Sequence, residues 1–391
     1  MLNTPFSPWP SFTQEEADAV CRVILSNKVN YWTGTEGREF EKEFAAFAGS
    51  NYAIALGNGT QALDLALKAL DIGVGDEVIT TSRTFLASAS SIVTSGAAPI
   101  FADVDLISQN ITAESIEAVL TPQTKAVIVV HLAGMPAEMD AIMASAEKHG
   151  FYVIEDCAQA HGAKYKGKSV GSIGHIGAWS FCQDKIMTTG GEGGMVTTND
   201  KALWSKMWSY KDHGKSYAAI YERDHAPGFR WLHESFGTNW RMTEMQAVIG
   251  RIQLTRMKDW TAKRQANGKA IDNAVSDLSV VRTVQVPDYI EHAEYKHYLF
   301  VRPEYLADGW TRDRIVETIV ANGVPAFQGS CSEIYLEKAF DNTPWRPKQG
   351  LKNAVELGAT SLMFLVHPTL TYDEIAKTSQ VIRNVLIQAT K

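Results

Sequence analysis

The 391-residue sequence lacks the features that would staple a chain, insert it in a membrane or hold it on a polyanion. Its four cysteines, Cys21, Cys157, Cys182 and Cys331, are scattered and form no CxxC pair. That spacing excludes a zinc ribbon and a disulfide framework; buried, reduced thiols and no bound metal are expected. No stretch approaches the roughly 18 apolar residues a membrane helix needs. The N-terminus has no basic start and no apolar run, so no signal peptide is expected, and the cytoplasm is the expected compartment. Basic charge is also short, with 37 Lys and Arg against 44 Asp and Glu and a net charge of −7. A nucleic-acid partner calls for a basic face, and none is expected here. A small anion needs only a few aimed donors and stays open.

What is present is an alternation of short β-branched runs with amphipathic stretches. Strands are expected at 52–56, 77–80, 99–103, 126–131, 151–155, 177–181 and 195–198, with helices such as 60–70 and 138–149 between them. This order predicts an α/β fold built on a largely parallel sheet covered on both faces. Such sheets bind ligands beyond the carboxyl ends of their strands, so the loops there are where chemistry is sought. After Thr243 the pattern changes. Residues 244–270 read as one long helix, with Trp260 a candidate break. Strands at 280–286 and 295–301 and helices at 311–322 and 371–387 then suggest a smaller α/β domain. Two domains are therefore expected, 1–260 and 261–391.

Four segments in these loops carry chemistry. Lys185 follows a strand and precedes two glycine pairs, in Trp179-Ser-Phe-Cys-Gln-Asp-Lys-Ile-Met-Thr-Thr-Gly-Gly-Glu-Gly-Gly194. A lysine so placed can form a Schiff base with an aldehyde cofactor, above all pyridoxal phosphate. The strand 151–155 runs into Glu155-Asp156, where Asp156 suits a pyridine nitrogen that must stay protonated. Glu155 competes for that role, but strand alternation turns it to the other face. Gln159, three residues on, suits the ring's phenolic oxygen. Gly57-Asn-Gly-Thr-Gln61 joins a strand to a helix whose first N–H groups, around Gly59, Thr60 and Gln61, form an anion site for a phosphate. Phe85, after the 77–80 strand, is a candidate stacking plate. Each segment alone has a plain structural reading, as surface lysine, helix cap, turn or core aromatic. Together they supply imine, ring partner, phosphate cradle and plate.

At these residues the chain resembles the DegT/DnrJ/EryC1/StrS family of sugar aminotransferases, of the aspartate aminotransferase fold type (fold type I). The likeness runs from Tyr31-Trp-Thr-Gly-Thr-Glu-Gly-Arg-Glu-Phe-Glu41 through Gly57-Asn-Gly-Thr-Gln-Ala-Leu63 and Asp156-Cys-Ala-Gln-Ala-His-Gly162. It continues through Gly190-Gly-Glu-Gly-Gly194 and Gly237-Thr-Asn-Trp-Arg-Met-Thr-Glu-Met-Gln-Ala247 to His367-Pro-Thr-Leu-Thr371. The resemblance implies Lys185 as the Schiff-base lysine, Asp156 on the pyridine nitrogen, Gln159 on the ring hydroxyl and Phe85 on the ring face. It implies Gly59, Thr60 and Ser180 at the phosphate, with Asn239 arriving from a neighbouring subunit, hence a homodimer with shared active sites. Family dehydratases have a histidine in place of this lysine, so Lys185 points to transamination.

The implied reaction moves an amino group from L-glutamate to a nucleotide-linked keto-sugar, at C4 of a 4-keto-6-deoxyhexose, for amino-sugar and surface-polysaccharide synthesis. Amination at C3 and a pyridoxal-dependent dehydration are the alternatives, and a non-enzymatic scaffold is the rival of another class. Candidate substrate contacts are Tyr31, Trp32, Arg230, Trp231, His297 and Tyr298, each of which also has a packing reading. The segment 324–335 lacks the His-Tyr pair common in relatives; if it lines the pocket, the substrate differs from theirs.

Overall fold

The computed structural model describes residues 5–225 and 231–391. The chain opens with α1 (Gln14–Leu25) and α2 (Glu36–Ala48). It then alternates through β1 (Tyr52–Leu56), α3 (Gly59–Ala69), β2 (Glu77–Thr81), α4 (Ala87–Thr94), β3 (Ala98–Ala102) and α5 (Ala113–Glu117). There follow β4 (Thr124–Val130), α6 (Met139–His149) and β5 (Tyr152–Asp156). A ribbon of β6 (Lys164–Tyr165) and β7 (Lys168–Ser169) precedes β8 (Ile176–Ser180) and β9 (Gly194–Thr198). Helices α7 (Lys201–Tyr210) and α8 (Tyr217–Tyr221) lead to the long α9 (Glu244–Val275). The remainder is β10 (Val281–Thr283), β11 (Ile290–Glu291), β12 (His297–Val301), α10 (Arg312–Ala321), β13 (Ala326–Phe327), α11 (Lys352–Thr360), β14 (Ser361–Phe364) and α12 (Tyr372–Ala389).

Seven strands form the main sheet in the order β1-β9-β8-β5-β4-β2-β3. All neighbours from β8 to β3 are parallel, while β9 runs against both β8 and β1. Alternation along the central strands covers both faces. Ile128 and Ile154 pack with Leu63, Leu65 and Leu67 of α3. Val127, Val129 and Val153 pack with Met139 and Ile142 of α6. These side chains are fully buried, and each contributes about 1.5–3 kcal/mol relative to exposure. Two-sided burial is why these strands read as continuous apolar runs.

The smaller antiparallel sheet has the order β10-β12-β14-β13 and packs Leu299, Leu362 and Phe364 against Ile315 of α10 and Ile382 and Leu386 of α12. Helix α9 bridges the two cores. Ala247 and Met257 lie with Phe40 and Phe44 under the main sheet, whereas Ile271 and Val275 belong to the small core. Residue 260 lies inside this helix, and Trp260 does not break it: its ring packs edge-on against Trp9, with centroids 5.1 Å apart. Among the described residues, no helix is long and apolar enough to cross a membrane.

Candidate active site

Three parallel strands end at one cavity: Val130 closes β4, Asp156 closes β5 and Ser180 closes β8. The cavity holds about 1030 Å³, enough for a cofactor-sized and a substrate-sized group together. The N-termini of α3 and α4 form one side, and the loop 329–334 with Tyr295, Lys296 and Tyr298 forms the other.

Alternation at the end of β5 separates the two adjacent carboxylates. Asp156 follows Ile154 to the α3 face, where its Oδ2 accepts from Ser88 Oγ at 2.8 Å and its Oδ1 from the Ala158 N–H at 3.2 Å. Burial pushes the Asp156 carboxyl up from its ordinary range, opposed by those two donors and by the Lys185 charge. A cation placed against it would hold it ionised. Glu155 turns the other way and is fully spent. It accepts the N–H groups of Gly171, Ile173 and Gly174 at 2.6–2.9 Å, and His131 Nε2 lies 3.0 Å away. His131 Nδ1 accepts from the Ala137 N–H at 3.1 Å, so Nε2 carries the proton toward Glu155. Cys157 Sγ comes within metal-ligand reach of this pair. The hydrogen bonds to Glu155 and His131 already occupy their ligand atoms, so the group reads as a brace for the 171–174 turn.

The turn into α3 is a cradle for an anion. Asn58 caps the helix, its side chain accepting from the Gln61 N–H at 2.9 Å. That capping bond removes Gln61 from the expected set of free donors and leaves the amides of Gly59 and Thr60 at the cavity. Ser180 lies directly opposite: a Cβ on Gly59 would sit 2.5 Å from Ser180 Cβ and 2.8 Å from its Oγ. A Cβ on Gly194 would come within 2.2 Å of the Asn58 carbonyl oxygen. Only glycine permits this approach of turn to sheet.

Lys185 lies in the loop after β8 and lines the cavity. Its Nζ sits 5.2 Å from the centroid of the Tyr295 ring, and its carbonyl accepts from Trp9 Nε1 at 2.8 Å. The Tyr295 hydroxyl donates to Asp184 Oδ2 at 2.5 Å. Burial works against the Asp184 charge, but Lys185, Tyr295 and Lys296 hold its carboxyl below the ordinary range. Gln159 accepts the Ala133 N–H on Oε1 at 2.7 Å, which leaves its amide N–H₂ to be offered to the cavity. Phe85 is 71% exposed at the cavity wall, so its ring face is open.

Other expected site residues lie elsewhere. Tyr31 is a core residue: its hydroxyl donates to Glu41 at 3.0 Å and accepts from Trp208 Nε1 at 3.3 Å, and Lys211 Nζ lies 3.6 Å above its ring. Trp32 packs on Trp208 beneath Lys215. His297 points away from the cavity, between Glu294 Oε2 and Asp272 Oδ1, each at 3.1 Å. Burial pulls its pKa down, but the two carboxylates outweigh that and hold it at about 10. None of these three lines the cavity, and their polar ends or ring faces are engaged within the fold. Trp231 is exposed and outside the cavity, as is Asn239. Arg230 lies outside the described residues. Tyr298 does line the cavity, its hydroxyl accepting the Ser330 N–H at 3.0 Å. The thiols also depart from expectation: only Cys157 is buried, and Cys182 and Cys331 line the cavity.

Sequence reasoning missed two residues here. Arg83, fully buried, ties the loop after β2 to the small domain. It donates to Gln109 Oε1 at 2.9 and 3.1 Å, to Ser332 Oγ and Ser361 Oγ at 2.8 Å each, and more weakly to the Ser330 carbonyl at 3.5 Å. It thereby fixes Gly329, Ser330 and Cys331 at the cavity, so the segment without the His-Tyr pair does line the pocket. Lys296 is the second; neither residue stands in a motif that would mark it. In a further hollow of about 850 Å³ between α1 and α9, Arg251 is paired to Glu36 and Glu43.

A sequence profile described as the DegT/DnrJ/EryC1/StrS aminotransferase family matches residues 10–383. The chain is similar to the X-ray structure of an aminotransferase from Psychrobacter cryohalolentis, with 66% identity, a TM-score of 0.97, and coverage of 98% of this chain and 100% of the other. It is 37% identical over 365 residues to a GDP-perosamine synthase of Caulobacter vibrioides, covering 91% of this chain and 92% of that one. It is 36% identical over 369 residues to a UDP-N-acetyl-3-dehydro-alpha-D-glucosamine 3-aminotransferase of Acidithiobacillus ferrooxidans, covering 93% and 92%. The chain belongs to the DegT/DnrJ/EryC1/StrS family of pyridoxal phosphate-dependent aminotransferases.

Proposed function

We propose that this enzyme carries the amino group of L-glutamate to the keto carbon of a nucleotide-linked sugar, in two half-reactions through one cavity. The observation that carries the reading is convergence: the Lys185 amine, the buried Asp156 carboxyl, the Gln159 amide, the open Phe85 face and the free amides beside Ser180 all border one space. That donor set matches pyridoxal phosphate group by group, with Gly59, Thr60 and Ser180 for the phosphate, Asp156 for the ring nitrogen and Gln159 for the phenolic oxygen. When bound, this cofactor supplies the electron sink that makes the α-proton of an amino acid removable.

In the first half-reaction Lys185 Nζ, freed when the donor's amine takes its place, would take the α-proton of glutamate and pass it on to the cofactor, which leaves the amine neutral. In the second it works in the opposite sense on the sugar's carbon. Asp156 holds positive charge at the atom against it throughout. Burial raises the pKa of this carboxyl, and a positive charge against it would hold it ionised. 2-Oxoglutarate leaves between the halves, so ping-pong kinetics are expected. The keto group is placed at C4 of a 4-keto-6-deoxyhexose. Amination at C3 is the second reading, favoured by the likeness to a 3-aminotransferase acting on a UDP-linked sugar.

The working unit is proposed to be a homodimer, completed by Asn239 of the partner subunit. Support comes from the exposed Trp231 and Phe236 on one chain. The test is a panel of UDP-, dTDP- and GDP-linked 3-keto and 4-keto sugars with ¹⁵N-labelled glutamate. Label transferred to a sugar carbon supports the reading and identifies the carbon. Label released as ammonia, with a deoxy product, replaces it with dehydration.

A further inference from the structure

The cavity holds a second amine that this mechanism does not use. Lys296 lies just before β12 and shares one aromatic ring with Lys185: its Nζ is 4.8 Å from the Tyr295 centroid, against 5.2 Å for Lys185. The two ammoniums therefore lie within about 10 Å of each other. Among the described residues Lys296 has the Tyr295 ring as a partner but no hydrogen bond and no ion pair.

The surroundings sharpen the imbalance. Arg264, 1% exposed, donates Nη1 to the carbonyl oxygens of Glu294 and Tyr295 at 3.5 and 3.3 Å and lies 5.0 Å from the centroid of the Trp9 ring, while its Nε and Nη2 make no hydrogen bond. Asp184 offsets part of this charge but is engaged by the Tyr295 hydroxyl. Glu294 is engaged by His297. Burial lowers the Lys296 amine to about 8, with Arg264 and Lys185 adding to the effect and Asp184 opposing it. Lys185 and Lys296 at the cavity, with Arg264 behind them, thus outnumber the carboxylate of Asp184, an excess that is costly in a low-dielectric site and favourable once an anion enters.

We infer that Lys296 is a substrate-binding residue that takes an anionic oxygen group, a carboxylate or a phosphate, on the small-domain wall of the cavity. The inference rests on the functional reading above, in which both substrates carry such a group: glutamate its carboxylates and the nucleotide sugar its diphosphate. The wall is distinct from the α3 cradle, whose donors are the Gly59 and Thr60 amides.

The test uses the holoenzyme as wild type and in two variants: Lys296→Met, which keeps the stem and removes the charge, and Lys296→Arg, which keeps the charge. Glutarate probes the carboxylate arm, and UDP, GDP and dTDP probe the diphosphate arm, each by isothermal titration calorimetry. Lys296→Met is expected to weaken one probe class by about 10- to 100-fold, the scale of a lost charged hydrogen bond, and the other by less than about twofold. Lys296→Arg should regain most of the loss. Weakened glutarate assigns the residue to the donor, and weakened nucleotide assigns it to the acceptor. Unchanged affinity for every probe overturns the assignment. Loss of all probes together with the cofactor's absorption band also overturns it, because Lys296 would then be acting through packing. A wild type that binds neither class overturns the functional reading, and this inference with it.

Discussion

Gly59→Ala tests the cradle most sharply, because two known effects pull in opposite directions. Gly59 opens α3, and alanine in place of glycine favours a helix by up to about 1 kcal/mol. Against that, the new Cβ would lie 2.5 Å from Ser180 Cβ, 2.8 Å from Ser180 Oγ and 3.0 Å from the Ser180 backbone Cα. The side chain can rotate its hydroxyl away, but Cβ and Cα are fixed by β8. The turn must therefore lift off the sheet, at a cost of about 1–3 kcal/mol for an overpacked contact. The lift also moves the amides of Gly59 and Thr60 away from the anion they are proposed to hold. The expected result is a net loss of stability of about 1–2 kcal/mol in denaturant unfolding of the apoenzyme. Pyridoxal phosphate affinity, read by absorbance titration, should fall at least tenfold.

Ser180→Gly supplies the control, since it removes the colliding Cβ. In the double variant the apoenzyme's stability should recover, while cofactor affinity stays low for want of the hydroxyl. A coupling below about 0.5 kcal/mol between the two sites would mean that they do not touch as described. A Gly59→Ala enzyme that binds the cofactor as tightly as wild type would refute the cradle outright.

Two further outcomes follow from buried charge. His297 has a folded pKa near 10, above its ordinary value of 6.5. Its contribution to stability is therefore complete below about pH 6.5 and is lost as pH rises through 10. His297→Gln should destabilise by about 3–5 kcal/mol at pH 6, because Glu294 is left buried with a lost partner, and the gap to wild type in urea unfolding should narrow by pH 10.5. A gap independent of pH would contradict the ion-pair account. Arg83→Met removes the donors that hold Ser330 and Ser332, at a cost of about 2–4 kcal/mol. It should raise KM for the nucleotide sugar while leaving the single-turnover rate with glutamate within about twofold; equal effects on both would show that Arg83 does not act through that loop.

Much of this architecture was legible because the physics was local. Strands 52–56, 126–131 and 151–155 announce themselves by near-continuous apolar runs, which two-sided burial demands, and they match β1, β4 and β5 closely. The turn at Asn58-Gly59 and the Glu155-Asp156 alternation are short-range statements too, and Glu155 does face away from Asp156. Whatever depended on distant partners was not legible. Tyr31 and His297 have the same side chains as a substrate contact, and only Glu41, Asp272 and Glu294, remote or silent in the sequence, commit them to packing. Arg83 lies about 250 residues from the serines it binds, so nothing near it marks it. Trp260 suggests a helix break only until Trp9 is known to lie against it. The reversed direction of β9 likewise has no sequence signature, since a buried strand reads alike both ways.

The central claim is that Lys185 is the amine through which this cavity binds its cofactor and moves the donor's proton. The measurement that tests it most directly is the visible absorption spectrum of the purified enzyme with pyridoxal phosphate, before and after excess L-glutamate, beside Lys185→Ala. The account predicts a yellow wild type that glutamate bleaches toward the pyridoxamine form, and a variant lacking both the lysine-linked band and the bleaching turnover. A wild type that stays colourless with cofactor supplied, or a Lys185→Ala enzyme that turns over as wild type does, would contradict it.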